Sequence, residues 1–257
     1  MPANIYHINI GSLITADSIH VPCHGLLLEL GKELVLVDSG IGLLDVQNPT
    51  ERIGTELINL AGFQFNEEDT AVRRIEELGY QPSDVRHIIL THGDPDHAGG
   101  LADFPQATVH VAQEELANIE SGNGRYRPPH FAHPPLWKTY GPSTERWFGL
   151  EARPISFESG DRVFLIPLFG HTKGHSGVAI RLEDGWLLHA GDAYYLQVEL
   201  KQDDHPVSIL TAQRADDNSQ RLHSLEELRR VLRDHGSEIQ AYCYHENYVF
   251  TSLPSHS

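Results

Sequence analysis

The residues from Thr91 to Gly100 read Thr-His-Gly-Asp-Pro-Asp-His-Ala-Gly-Gly. Two imidazoles and two carboxylates, His92, Asp94, Asp96 and His97, fall within six residues. Neutral imidazole and carboxylate are ligands for borderline and hard divalent metals. Pro95 and the glycines at 93, 99 and 100 force a compact loop in which such side chains can converge. The same residue types also suit a plainer role, since Asp94 and Asp96 could cap backbone N–H groups at a helix start. Three further segments carry chemistry-bearing residues: Gly170-His171-Thr172-Lys173-Gly174-His175, Ala190-Gly191-Asp192, and His245. Each follows a β-rich run, and strand ends along one sheet edge can bring distant ligands together.

The elements that would position these groups are short strands alternating with helices. Gly25–Leu30 and Glu33–Asp38 read as a hairpin turning at Gly31-Lys32, with a buried second strand ending in Asp-Ser-Gly. Residues 70–78 carry apolar positions at helical spacing and stop at Gly79. His87–Leu90 is a short core strand running straight into the motif loop. A strand at Thr108–Val111 and a helix at Gln113–Ile119 follow. Strands are expected at Val163–Leu168, Val178–Leu182 and Gly185–His189, the last two joined by a turn at Asp184-Gly185. A helix from Ser224, with Glu227 three residues on as a capping box, ends near Gly236, and a final strand spans Ile239–Tyr244. Strands followed by helix in each half imply two sheets packed face to face with helices outside, in one domain over 1–257. Residues 122–148 hold five prolines, two tryptophans and two tyrosines and read as an irregular, lid-like excursion. Tyr126, Phe131, Trp137, Tyr140, Trp147 and Phe148 could wall an acyl or aromatic group, or simply pack. Arg125, Arg127 and Lys138 could bind a carboxylate, or keep the loop soluble.

Composition narrows the partners. The 257 residues carry 19 Lys and Arg against 36 Asp and Glu, a formal charge of −17, with 17 histidines. Such charge argues against broad contact with nucleic acid or anionic lipid. No apolar run approaches the roughly 20 residues of a membrane span, and no secretory leader is recognisable. The two cysteines, Cys23 and Cys243, read as reduced thiols of a cytoplasmic protein.

Taken in order, Asp38 in Val-Asp-Ser-Gly, the 91–100 loop, Gly-His171-Thr, Gly-Asp192 and His245 resemble the metallo-β-lactamase superfamily, in the style of its lactonase and glyoxalase II-like members. The resemblance implies an α/β fold, an αββα sandwich of two mixed β-sheets with outer helices. It implies a first metal held by His92, Asp94 and His171 and a second held by Asp96, His97 and His245, with Asp192 bridging. Asp38 would support the loop without ligating, and His175 would be supporting or structural. The family commonly has His where this chain has Asp94. A carboxylate there hardens the first site and moves preference from zinc toward manganese or iron; alternatively Asp94 does not ligate and one site fills. Two divalent ions, zinc foremost, would supply a bridging hydroxide that attacks a small ester, lactone or thioester. Asp96 would relay the proton, and Tyr195 would donate to the carbonyl oxygen. The alternatives are an iron-dependent redox or oxygen-handling protein and a phosphodiesterase, the latter disfavoured by the charge. The expected partner is a small-molecule substrate, and exposed lid aromatics would suit a homodimer.

Overall fold

The computed structural model describes Pro2 and residues 4–247. Its strands, in chain order, are β1 (Ile5–Ile14), β2 (His20–Leu30), β3 (Glu33–Val37), β4 (Phe63–Gln64), β5 (Val85–Ile89), β6 (Thr108–Ala112), β7 (Leu136–Tyr140), β8 (Arg146–Trp147), β9 (Leu150–Glu151), β10 (Arg153–Ile155), β11 (Val163–Pro167), β12 (Ser176–Leu182), β13 (Gly185–His189) and β14 (Ile239–Tyr242). One sheet runs β4-β1-β2-β3-β5-β6-β7 and the other β10-β11-β12-β13-β14, while β8 and β9 form a small ribbon. Both large sheets are mixed: β3, β5, β6 and β7 pair in parallel, as do β13 and β14, and the other ladders are antiparallel.

The strands are apolar on both faces because both faces are covered. On β3, Leu34 and Leu36 face one cluster and Val35 and Val37 the other. On β11, Val163 and Leu165 point inward toward the first sheet, while Phe164 and Ile166 point outward. Period-two alternation therefore separates three apolar layers. The middle layer joins Leu26, Leu28, Val35 and Ile89 of the first sheet to Leu165, Val178, Ile180 and Leu187 of the second. Outside the first sheet pack Ala71, Val72 and Ile75 of the helix at Ala71–Glu77. Outside the second pack Leu225, Leu228 and Val231 of the long helix Asn218–His235. This is the αββα sandwich expected from the sequence.

Several local expectations change. The long helix starts at Asn218, where the Asp217 carboxylate caps the Gln220 N–H at 3.0 Å. Ser224 is inside that helix and its hydroxyl donates to Phe169 O at 2.7 Å, so the Ser224 capping box does not form. The 122–148 segment is not wholly irregular, because β7 adds a parallel edge strand beside β6. Its aromatics mostly pack: Tyr126 and Trp147 are buried, and Phe131 and Trp137 lie against the first core.

Two histidines without a proposed chemical role help to hold that edge. Tyr140 OH lies 2.8 Å from His110 Nδ1, His110 Nε2 lies 2.9 Å from His87 Nδ1, and His87 Nε2 lies 3.1 Å from Glu33 Oε1. Neutral rings satisfy the whole chain, which ties β7, β6, β5 and β3 together in register. Burial pushes His110 down to about 3, with His87 acting in the same direction.

Two expectations follow. Leu165→Ala should lower the unfolding free energy by about 2–5 kcal/mol, measured by urea denaturation. The unfolded chain takes up a proton at position 110 near pH 6.5 while the folded chain resists to about pH 3. This residue's contribution is therefore present above pH 6.5 and declines as pH falls through that window. His110→Gln should flatten that part of the stability profile, and an unchanged slope would remove His110 from it.

Candidate metal centre

The site lies where strands end. β5 runs out into Thr91 and His92, and Asp94 then opens the short helix Pro95–Ala98 that carries Asp96 and His97. The turn between β11 and β12 carries His171 and His175. The chain leaving β13 carries Asp192, and the chain leaving β14 carries His245. All seven proposed ligands converge.

Two of the resulting donor groups share a carboxylate. His92, His171 and Asp192 form one, and His97, Asp192 and His245 the other. Asp192 belongs to both. His171 Nε2 is 3.3 Å and His92 Nε2 3.9 Å from Asp192 Oδ2. His97 Nε2 is 3.5 Å from Asp192 Oδ1, and His245 Nε2 is 3.5 Å from Oδ2. Asp94 Oδ2 lies 3.4 Å from both His92 and His171. Asp96 Oδ2 lies 3.4 Å from His245 and 3.8 Å from His97. Donors about 2.0–2.2 Å from one tetrahedral ion stand roughly 3.4 Å apart, so these spacings suit metal ligation. A second observation agrees. His92 Nε2, His97 Nε2 and Asp192 Oδ1 are buried and have no hydrogen-bond partner. Leaving such atoms unsatisfied costs about 1–3 kcal/mol each, and a cation at their meeting point would satisfy them together.

The surrounding groups set the tautomers. Asp38, itself in the left-handed region at φ 57°, accepts from Thr91 N and Thr91 Oγ1, both at 2.8 Å. Its Oδ2 also accepts from His97 Nδ1 at 2.9 Å, which leaves His97 Nε2 facing the donors. His245 Nδ1 donates to Pro22 O at 3.2 Å with the same effect. His175 donates from Nδ1 to Leu168 O and accepts the Asp192 N–H at Nε2, both at 2.9 Å. It supports the backbone of the shared carboxylate. A Cβ on Gly191 would stand 2.7 Å from His175 Nε2, so a side chain there would break this hold.

Electrostatics divide the two groups. Burial pushes His92 well down, assisted by His97, and burial with Arg125 lowers His171. Burial opposes charge on His97 and His245 too, but Asp192, together with Asp96, outweighs it. His97 is raised, and His245 is pushed up to about 10. Burial would raise Asp94, but Arg125 and then His92 hold it well below the usual carboxylate range.

Tyr195 sits beside the donors as the sequence suggests. Its ring centroid is 5.2 Å from that of His245 and 6.0 Å from that of His171. Burial, Asp192 and Asp94 push its phenol well up, which keeps the proton on oxygen. Tyr194 points away into the second core.

Three participants were not identifiable from the sequence. Arg125 grips both oxygens of Asp94, at 2.5 Å from Nε and 2.6 Å from Nη2, and Nη2 is 2.7 Å from His171 Nε2. The sequence marks it only as one of three lid cations. Glu115 is fully buried and accepts from Gly93 N (2.8 Å), Tyr126 OH (2.8 Å), Thr172 Oγ1 (2.6 Å) and Gly174 N (3.1 Å). It ties the 91–97 loop to the 170–176 loop. Cys23, read as an ordinary thiol, places its sulfur within 4.8 Å of donor atoms of Asp96 and His245.

The sequence profile of the metallo-β-lactamase superfamily matches residues 20–239. The chain belongs to the metallo-β-lactamase superfamily. A probable metallo-hydrolase of Mycobacterium tuberculosis is 42% identical over 200 residues, covering 76% of this chain and 63% of its own. The chain thus spans under two thirds of that mycobacterial relative. An N-acyl homoserine lactonase of Bacillus thuringiensis is 31% identical over 110 residues, covering 42% of this chain and 44% of its own. Among solved structures, an N-acyl homoserine lactone hydrolase with N-hexanoyl-L-homoserine at its catalytic metal centre superposes with a TM-score of 0.77. It is 23% identical and covers 100% of this chain and 98% of its own. At that identity the likeness speaks to fold alone.

Asp38→Asn tests the support of the centre. Asn tolerates the left-handed backbone, but its amide N–H₂ cannot accept from His97 Nδ1. Zinc affinity, measured by competition with a chromophoric chelator, should fall about 10- to 100-fold. Unchanged affinity would show that Asp38 does not orient a ligand.

Proposed function

We propose that the chain is a metallo-hydrolase that opens a small ester, lactone or thioester. One observation carries the reading: a single buried carboxylate, Asp192, faces two separate pairs of histidines through their Nε2 atoms. In this reading His92, Asp94 and His171 hold a first divalent ion, Asp96, His97 and His245 a second, and Asp192 both. Zinc is the expected metal, and a dizinc lactonase is among the structural neighbours (TM-score 0.61, 20% identical, covering 91% of this chain and 76% of its own). Bound there, the ions would lower the pKa of water toward neutrality and polarise a carbonyl.

The protein's own groups do the rest. Tyr195 keeps its proton and donates from its hydroxyl to the substrate carbonyl oxygen, where negative charge develops. Asp96 has 12% of its side chain exposed, against 3% for Asp192, and is the carboxylate placed to exchange protons with solvent. It takes the proton of the attacking water at a carboxylate oxygen and returns it to the leaving oxygen or sulfur. His175 and Asp38 keep Asp192 and His97 in place throughout.

The iron-dependent redox alternative rests on Asp94 hardening the first site. Arg125 on both oxygens of Asp94 offsets that charge and weakens the reason to expect a harder metal. A phosphodiesterase fits poorly with a chain of charge −17. No described helix is long and apolar enough to cross a membrane.

Zinc-loaded protein should hydrolyse members of an ester, lactone and thioester panel, and lose that activity on chelation. Tyr195→Phe should lower kcat by about 100-fold with little change in KM. No turnover across the panel would overturn the hydrolase reading. Full activity in Tyr195→Phe would remove the phenol from the chemistry.

A further inference from the structure

Beside the donors lies a cavity of about 520 Å³ whose lining includes Leu57, Leu60, Arg125, Arg127 and Arg214. Arg125 belongs to both places, since it grips Asp94 on the metal side. Leu60 is 73% exposed, an apolar side chain left to solvent at the cavity wall. Acidic residues outnumber basic ones in this chain, 36 to 19, and most arginines have partners. Arg52, Arg73, Arg74, Arg153, Arg229 and Arg230 hold carboxylates. Among the described residues, the guanidinium groups of Arg127 and Arg214 show no hydrogen bond, ion pair or aromatic contact. Two unpaired guanidinium groups lining one concavity repel each other and attract an anion. The lining also holds two carboxylates, Asp216 and Glu56. Asp216 already accepts from Asn118 at 3.0 Å and Asn123 at 3.4 Å and pairs with Arg125 at 3.5 Å, and Glu56 stands exposed. Arg125 lines the cavity and its Nη2 lies 2.7 Å from His171 Nε2, which places the cavity next to the donors.

We propose that this cavity is an anion subsite, and that the substrate carries an oxyanion, carboxylate or phosphate, remote from its scissile carbonyl. The anion seats between Arg127 and Arg214, and the apolar linker lies on Leu57 and Leu60. This assignment rests on the hydrolase reading of the neighbouring donors.

Matched thioesters and esters test it, identical at the scissile bond and ending in a carboxylate, a phosphate or a neutral amide. The zinc-loaded protein should favour the charged tails in kcat/KM by about 10- to 100-fold, and added salt should erode the preference. The carboxylate and phosphate arms show which oxyanion is preferred. Arg127→Gln with Arg214→Gln should bring the charged-to-neutral ratio close to one, with the loss falling on KM. The pair Arg127→Lys with Arg214→Lys keeps the charge and should retain part of the ratio, which separates loss of charge from loss of fold. If no tail is turned over, the hydrolase reading fails while calorimetry still tests the subsite. Hexanoate and hexyl phosphate should then bind more tightly than hexanamide, and the double Gln variant should abolish the difference. Hexanoate held by the metal donors instead would bind the variant undiminished, and that result, or equal binding of charged and neutral probes, overturns the subsite.

Discussion

The structure is organised around one electrostatic demand: three carboxylates, Asp94, Asp96 and Asp192, converge in a largely buried space. Buried negative charge is stable only when positive charge or hydrogen bonds face it. The protein meets the demand unequally. Arg125 faces Asp94 with a fixed guanidinium, which carries charge at any physiological pH. Around Asp192 the facing groups are His97 and His245, whose pKa values the carboxylates pull upward. The carboxylate of the first group is thus already compensated by a fixed cation, whereas Asp192 is faced by imidazoles.

Holding such a cluster together takes a second ring of buried polar groups, each with defined partners. Asp38 ties the end of β3 to Thr91 and His97, so the loop cannot shift against the first sheet. Glu115 uses both oxygens to bind the loops that carry Gly93 and Gly174. His175 binds the backbone of Asp192 from the second sheet. These contacts cross between elements that share the middle apolar layer, so sandwich packing and donor geometry depend on each other. Leu187 of that layer lies on β13, and the chain leaving β13 carries Asp192.

The strands and the 91–97 loop were legible because their signals are local. Unbroken β-branched and leucine runs mark β3 and β5, and the imidazoles and carboxylates of the loop lie within six residues. Signals that depend on distant partners were not legible. Arg125 reads as any lid cation until the 122–127 segment folds over Asp94, 31 residues earlier. Glu115 is only one of two adjacent acidic residues in the expected 113–119 helix, yet it is fully buried and bonded to two loops. Ser224 with Glu227 has the spacing of a capping box, but the stronger local choice is Asp217, and Ser224 instead bonds Phe169. The aromatics of 122–148 could serve a lid or a core in equal measure from composition. Tyr140 lies on an edge strand, where His110, itself bonded to His87, satisfies its hydroxyl.

The place of the arginines follows from the same charge balance. In a chain of −17, long-range potential disfavours the approach of any anion, so an anion can be recognised only where local positive charge outweighs the field. Arg125 cannot supply it alone, since Asp94 takes the Nε–Nη2 edge of its guanidinium, and the Arg214 carbonyl and Asp216 take Nη1. Arg127 lies two residues further along the same segment, and Arg214 ends the helix Val207–Arg214 that packs beside it. The backbone carbonyl of Arg214 accepts from Arg125, which fixes the two segments against each other. The contact that neutralises Asp94 thereby also positions two uncommitted guanidinium groups around the adjoining cavity. Compensation of a buried carboxylate and construction of a cationic wall are, in this chain, consequences of one folded segment.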